Sequence, residues 1–111
     1  MSAWLHLLGA DVYGISLGTQ PSQPSHYEVA GFSEFVTVQS VDIRESNELS
    51  ECVNDIKPDF VFHLAAQAIV RQSYDNPVAT YQTNTIGTLN LLEALRLIKN
   101  KCTVVLITSD K

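Results

Sequence analysis

Apolar positions along the 111 residues follow two periods, short β-rich runs and longer stretches with helical spacing. The most informative run is FVFHL, from Phe60 to Leu64, introduced by Pro58-Asp59 and closed by the small-residue turn Ala65-Ala66-Gln67. A continuous apolar run of this length predicts a strand buried on both faces of a parallel sheet. The carboxyl end of such a strand is where ligands sit in open α/β sheets, and small residues there let a ligand lie against backbone.

The other elements follow in order. Residues 2–8 carry Trp4, Leu5, Leu7 and Leu8 and predict the tail of a helix, with Gly9 as its C′ stop. DVYGISL, residues 11–17, predicts a strand, and the Gly-, Pro- and Ser-rich residues 18–25 a loop. One helical turn is placed within residues 26–32, and a strand over residues 35–41, where Phe35, Val36, Val38 and Val41 recur among polar neighbours. Ser46 is positioned to cap a helix whose apolar residues Leu49, Cys52, Val53 and Ile56 fall at i, i+3, i+4 and i+7, and Pro58 ends it. Asn76-Pro77 supplies an N-cap and a first-turn proline for a long helix reaching about Lys99. That helix is expected to bury Ile86, Leu89, Leu92 and Leu95, with Leu91 and Ile98 widening the face. TVVLIT, residues 103–108, predicts a second buried strand. Strands alternating with helices in this way predict an α/β fold with right-handed crossovers onto a parallel sheet.

Composition narrows the function classes. A hydrophobic content of 45% supports a core, and no apolar run approaches the roughly 20 residues of a membrane span. No signal peptide is expected. The formal charge of −5 and the scattered Lys and Arg argue against nucleic acid as partner. Cys52 and Cys102 lack metal-ligand spacing and are expected to be free core thiols, which points to a reducing cytoplasm. His63 lies within a buried strand and is expected to be a satisfied core histidine.

The stretch FVFHLAAQAIVRQSYDNPVATYQTNTIGTLNLLEALR and the later VVLITSDK closely resemble the extended short-chain dehydrogenase/reductase superfamily, and within it the CDP-glucose 4,6-dehydratases. The features that select this branch are HLAAQAIVRQSY, the TYQTNTIGTLNLLEA helix and the ending Thr108-Ser109-Asp110-Lys111. The resemblance implies a single partial NAD(P)-binding domain over residues 1–111, an incomplete Rossmann-type doubly wound parallel sheet. The first strand and its glycine-rich turn are not in the chain, and no Gly-x-Gly-x-x-Gly occurs. Loss of that central strand predicts that the pair at residues 11–17 and 35–41 either joins the pair at 59–65 and 103–108 directly or stays loosely packed.

The resemblance also implies roles. Asp42 and Ile43 would hold the adenine of NAD, with the carboxylate accepting from its exocyclic amine. Leu64, Ala65, Ala66 and Gln67 would pass the cofactor's ribose and pyrophosphate. Asn84 would order the active-site backbone, at some cost in helix propensity, and Thr108 would border the cofactor. Arg71, Ser73 and Tyr74 are candidates to face substrate, with a solvated loop the alternative for Arg71. The implied reaction turns CDP-glucose into CDP-4-keto-6-deoxyglucose by internal redox elimination, in deoxysugar biosynthesis for cell-surface polysaccharide such as O-antigen. Ser109 would bond the C4 hydroxyl, Asp110 would protonate the departing C6 hydroxyl and Lys111 would take the C5 proton. An acid and a base of these types need pKa values shifted toward neutrality.

Two departures bear on these expectations. The superfamily's Tyr-x-x-x-Lys pair is not in the chain, and Ser16, Leu17 and Gly18 stand where many NAD binders place an acid for the ribose diol. NAD over NADP is therefore implied by the resemblance alone, as are a homo-oligomeric parent and a nucleotide-sugar substrate, while the lack of a long apolar run leaves no membrane partner expected. The alternatives are another NAD-dependent nucleotide-sugar epimerase or dehydratase, and a truncated, non-catalytic chain with at most weak nucleotide binding.

Overall fold

The computed structural model describes residues 1–18 and 26–108. The chain divides into two units, Met1–Val41 and Asp42–Lys111. The four strands pair in parallel within their own unit, as two separate two-stranded sheets, so the direct joining of the two pairs is overturned.

The first unit opens with helix α1, Ser2–Leu7. The Gly9 N–H donates to the His6 carbonyl at 2.9 Å and the Ala10 N–H to the Leu5 carbonyl at 3.1 Å, with Gly9 at φ +87°. These are the paired bonds of a Schellman stop, so the expected Gly9 terminus is borne out. Strand β1, Val12–Ser16, pairs with β2, Val36–Ser40, from Val12 opposite Val36 to Ser16 opposite Ser40. Between them lie α2, His26–Val29, and a single 3₁₀ turn, Phe32–Glu34. Residues 19–25 of the expected loop fall outside the described residues. None of the described residues of this unit is fully buried. Its apolar contacts include an aromatic row: His6 stacks on Phe35 at 4.7 Å, Phe32 meets Phe35 edge-on at 5.4 Å, and Tyr27 stacks on Phe32 at 6.0 Å.

The second unit holds α3, Ser46–Ile56; β3, Phe60–His63; α4, Val70–Asp75; α5, Pro77–Tyr81; a π-turn, Gln82–Ile86; α6, Gly87–Leu97; and β4, Thr103–Leu106. Helices α3 and α6 pack together, and the buried apolar side chains are Leu49 and Val53 of the first and Leu91 and Ala94 of the second. The α3 stripe is as expected. Its start is not, because Glu45 is the N-cap and Ser46 is already helical. The Glu45 N–H donates to the Asp42 carbonyl at 2.9 Å, so a turn at residues 42–45 launches the helix without a side-chain cap. Lys57 ends it at φ +49°, with the following Pro58 disfavouring a further helical residue. Asn100 Nδ2 secures this bend by donating to the Lys57 and Pro58 carbonyls at 3.2 and 3.0 Å.

Three expectations need correction. The long helix is one continuous run from Pro77 to Leu97, but a π-turn interrupts its middle. Asn76 does cap it, Oδ1 accepting the Ala79 N–H at 3.1 Å. Its inward face is Gly87, Leu91 and Ala94, whereas Ile86, Leu89 and Leu92 remain exposed. Leucines and isoleucines occur on more than one side of this helix, and the small residues Gly87 and Ala94 mark the side that admits close neighbours. The strands, finally, are not buried on both faces: Phe60 is 66% exposed and Val105, opposite Phe62, 37%. His63 meets α6 while Phe60 alternates onto the opposite face, so helical cover on one side leaves the other open.

Candidate cofactor site

Strands β3 and β4 run in register from Phe60 opposite Thr103 to His63 opposite Leu106, and the Ile107 N–H donates to the His63 carbonyl at 3.1 Å. Their carboxyl ends therefore emerge side by side. Leu64, Ala65 and Ala66 leave β3 and Thr108 leaves β4 at this edge, all four exposed. Ser109, Asp110 and Lys111 follow Thr108 in sequence and lie outside the described residues.

Gln67 ends the β3 loop and is fastened at both its backbone and its side chain. Asn84, inside the π-turn, accepts the Gln67 N–H through Oδ1 at 2.7 Å and donates through Nδ2 to the Gln67 carbonyl at 3.0 Å. The amide thus imitates a neighbouring strand and satisfies two loop groups that the sheet does not reach. The Gln67 side chain donates to the Ile69 carbonyl at 3.1 Å and to Thr80 Oγ1 at 3.2 Å, and its Oε1 accepts the Ile69 N–H at 2.6 Å. A small-residue loop with its backbone fixed in this way can accept a flat or anionic ligand against the main chain without first being ordered.

The same helix holds a second loop. Asn90 Nδ2 donates to the Ile43 and Arg44 carbonyls at 3.0 and 3.1 Å. Gly87 abuts Ile43 so closely that an added Cβ would stand 2.6 Å from Ile43 Cδ1. Asp42 itself is turned onto Arg44: its carboxylate accepts the Arg44 N–H at 2.9 Å and Arg44 Nε at 2.9–3.0 Å, with Nη2 bonded as well. Hydrogen bonds from the Arg44 side chain hold the Asp42 carboxyl below its ordinary range, against a smaller upward push from burial. The charge is present, but four donor contacts from Arg44 already address it.

His63 is 7% exposed, and its Nε2 lies 2.8 Å from Thr88 Oγ1. Burial lowers its pKa from the ordinary 6.5, so it is a neutral, bonded core residue as the strand pattern suggested. Arg71 and Tyr74 stand on α4, the Arg71 side chain 91% exposed and paired with Asp75 at 3.9 Å, and Tyr74 82% exposed. Ser73 Oγ donates to the Val70 carbonyl on the same helix at 2.6 Å. Cys52 and Cys102 are free and half-buried, and burial pushes both thiols up. Among the described residues no His, Cys, Asp and Glu cluster could hold a metal, and no helix is long and apolar enough to cross a membrane.

Residues 3–111 match the GDP-mannose 4,6 dehydratase family. The chain belongs to that family. Within it, the chain is 41% identical along its whole length to CDP-glucose 4,6-dehydratase of Salmonella typhimurium, covering 31% of that protein. It is 33% identical to GDP-mannose 4,6-dehydratase of Vibrio cholerae over 88% of this chain and 28% of that one. Among solved structures, UDP-glucose 4-epimerase of Brucella ovis in complex with NAD superposes with a TM-score of 0.76 at 25% identity, over 95% of this chain and 30% of that one. The Thermus thermophilus UDP-glucose 4-epimerase complex with NAD superposes at 0.69 with 29% identity, over 85% of this chain and 28% of that one. The chain thus spans about a third of the length of such relatives. The α/β fold class and the resemblance to short-chain dehydrogenase/reductase enzymes are borne out.

For this family member the sequence singled out Asn84 and Gln67 but not the helix residues that act beside them. Thr80, Gly87 and Asn90 meet the two loops and Thr88 meets His63 at the end of β3, and nothing in their local pattern tells them from ordinary helix residues. The one available signal was the density of Thr, Asn and Gly in TYQTNTIGTLN, a composition that helix propensity disfavours.

Proposed function

We propose that the chain is the cofactor-loop portion of an NAD-dependent CDP-glucose 4,6-dehydratase, a lyase that yields CDP-4-keto-6-deoxyglucose. The observation that carries this is the 41% identity to the Salmonella enzyme over all 111 residues of this chain. The residues present fit the cofactor in two places. Ala65 and Ala66 expose a loop with no side chain beyond Cβ, and Asn84 holds the Gln67 backbone behind it. Asp42 offers a carboxylate kept ionised by Arg44, and Ile43 an apolar neighbour held by Asn90.

In this proposal Asp42 and Ile43 hold the adenine, Leu64, Ala65, Ala66 and Gln67 pass the ribose and pyrophosphate, and Thr108 borders the nicotinamide side. When bound, NAD supplies a hydride acceptor for C4 of the sugar and the hydride returned to C6. Ser109 bonds the C4 hydroxyl, Asp110 protonates the C6 hydroxyl as it leaves and Lys111 removes the proton from C5. The bond between C6 and oxygen would break while a double bond forms between C5 and C6; return of the hydride to C6, with the proton from Lys111 back to C5, would then leave the cofactor unchanged and one water lost. Oxidation at C4 would also need a base for the hydroxyl proton, the role the resemblance gives to the Tyr-x-x-x-Lys pair.

The first experiment is calorimetric titration of the 111-residue chain with NAD, checked by saturation-transfer NMR. Micromolar binding supports the two-loop cofactor site, and no binding up to millimolar NAD overturns it for this chain. Incubation with CDP-glucose and NAD then separates reaction classes. A product lighter by one water, without accumulated NADH, supports the dehydratase. An isobaric sugar nucleotide supports a second reading, an epimerase, which is favoured by 39% identity over 70 residues to CDP-paratose 2-epimerase of Salmonella typhi.

A further inference from the structure

The end of β3 and the loop that follows it are fastened to the same helix at two points with matching spacing. His63 bonds Thr88, and Gln67, four residues on, bonds Asn84, four residues earlier on the helix. The two points are joined, because Thr88 Oγ1 also donates to the Asn84 carbonyl at 2.7 Å. A hydroxyl has one proton to give. With that proton on the Asn84 carbonyl, Thr88 must accept from His63, which places the imidazole proton on Nε2. The Gly87 N–H reaches back five residues to the Gln82 carbonyl, so this stretch is wound wider than an α-helix. The Thr88 hydroxyl adds a bond to the Asn84 carbonyl within it.

We propose that the pair of buried His63 and half-buried Thr88 is a positioning device for the cofactor loop, setting the π-turn so that the Asn84 amide faces the Gln67 backbone. The proposal rests on the reading of residues 64–67 as a cofactor loop. Neither His63 nor Thr88 touches the ligand. Without the Thr88 hydroxyl the Asn84 carbonyl loses one hydrogen bond, Nε2 of His63 loses its acceptor, and the π-turn can revert to regular winding. Reversion rotates Asn84 by about one residue, roughly 100° around the helix, and takes its amide off Gln67.

The test is NMR on the 111-residue chain and two variants, followed by NAD titration of each. In the unsubstituted chain His63 is expected as the Nε2–H tautomer, with the Gln67 amide protected from exchange. Thr88→Val keeps the side-chain shape and removes the hydroxyl, and is expected to speed Gln67 exchange about ten-fold, the loss of one net hydrogen bond. It should weaken NAD binding in parallel, while Thr88→Ser restores both, a rescue that general destabilisation would not show. A Nδ1–H tautomer in the unsubstituted chain, or Gln67 exchange unchanged in Thr88→Val, overturns the proposal. Should Thr88→Val not fold, the tautomer in the unsubstituted chain decides alone. Should the unsubstituted chain bind no NAD while Gln67 exchange still responds to Thr88, the positioning device stands and the cofactor reading falls.

Discussion

Replacing Gly87 with alanine sets two effects of opposite sign against each other. Gly87 is the first residue of α6, inside a longer helical run, where alanine gains about 0.8–1 kcal/mol in intrinsic propensity. The new methyl would stand 2.6 Å from Ile43 Cδ1, 2.7 Å from Cγ1 and 3.4 Å from Cβ. Ile43 is β-branched and stiff about χ1, so turning it aside costs about 0.5–1.5 kcal/mol. Nor can its backbone withdraw freely, since Asn90 holds the carbonyls of Ile43 and Arg44. Overpacking of this kind costs about 1–3 kcal/mol, so Gly87→Ala should be destabilising by about 1 kcal/mol net. In an Ile43→Ala background the obstructing atoms are gone and the same substitution should stabilise, a coupling of about 1–3 kcal/mol between the sites. Urea unfolding of the four chains, followed by far-UV circular dichroism, measures each term. If Gly87→Ala alone stabilised by the full propensity gain, the close approach to Ile43 would not be a constraint on the loop.

Other outcomes follow from single sites. Leu49 is fully buried between α3 and α6, and Leu49→Ala should cost about 2–5 kcal/mol in the same urea experiment. The pKa of His63 is lowered by burial, so the unfolded chain binds its proton more readily. Its contribution to stability is complete above about pH 6.5 and is lost as pH falls through the lower folded value. Melting temperature should therefore drop on acidification below that point, with a shallower slope in His63→Gln, and identical slopes would refute the assignment. Asn100→Asp keeps the shape but sets a carboxylate against the Lys57 and Pro58 carbonyls, in place of two donated bonds. A loss of about 2–3 kcal/mol is expected by the same denaturation measurement, larger at neutral than at acid pH.

Local signals predicted the local features well. Gly9 ends α1 because an αL residue at C′ needs no tertiary help, and Asn76-Pro77 starts α5 because the cap and the fixed φ act within one turn. The α3 stripe was legible because only one side of that helix is apolar. Helix α4 went unnoticed, since VRQSYD has neither an apolar period nor a cap, and none of its residues is buried. The π-turn was equally hidden, because the same residues would suit regular winding. Its presence depends on what Asn84 and Thr88 meet across the fold.

By itself the sequence determined the order of the four strands and of the main helices around them, the parallel α/β class, the family and the loops at the carboxyl ends of the strands. Each of these is written in periodicity, turn residues or a stretch of matching residues. Only the tertiary structure decided that one helix face, Gly87, Leu91 and Ala94, turns inward while Ile86, Leu89 and Leu92 stay outside. It alone decided that Asn84 and Asn90 hold loops 17 and 47 residues away. Hydrophobicity can mark several faces of a helix as fit for burial. Choosing among them takes side-chain volume and the hydrogen-bonding needs of distant backbone, quantities that exist only once the chain has closed on itself.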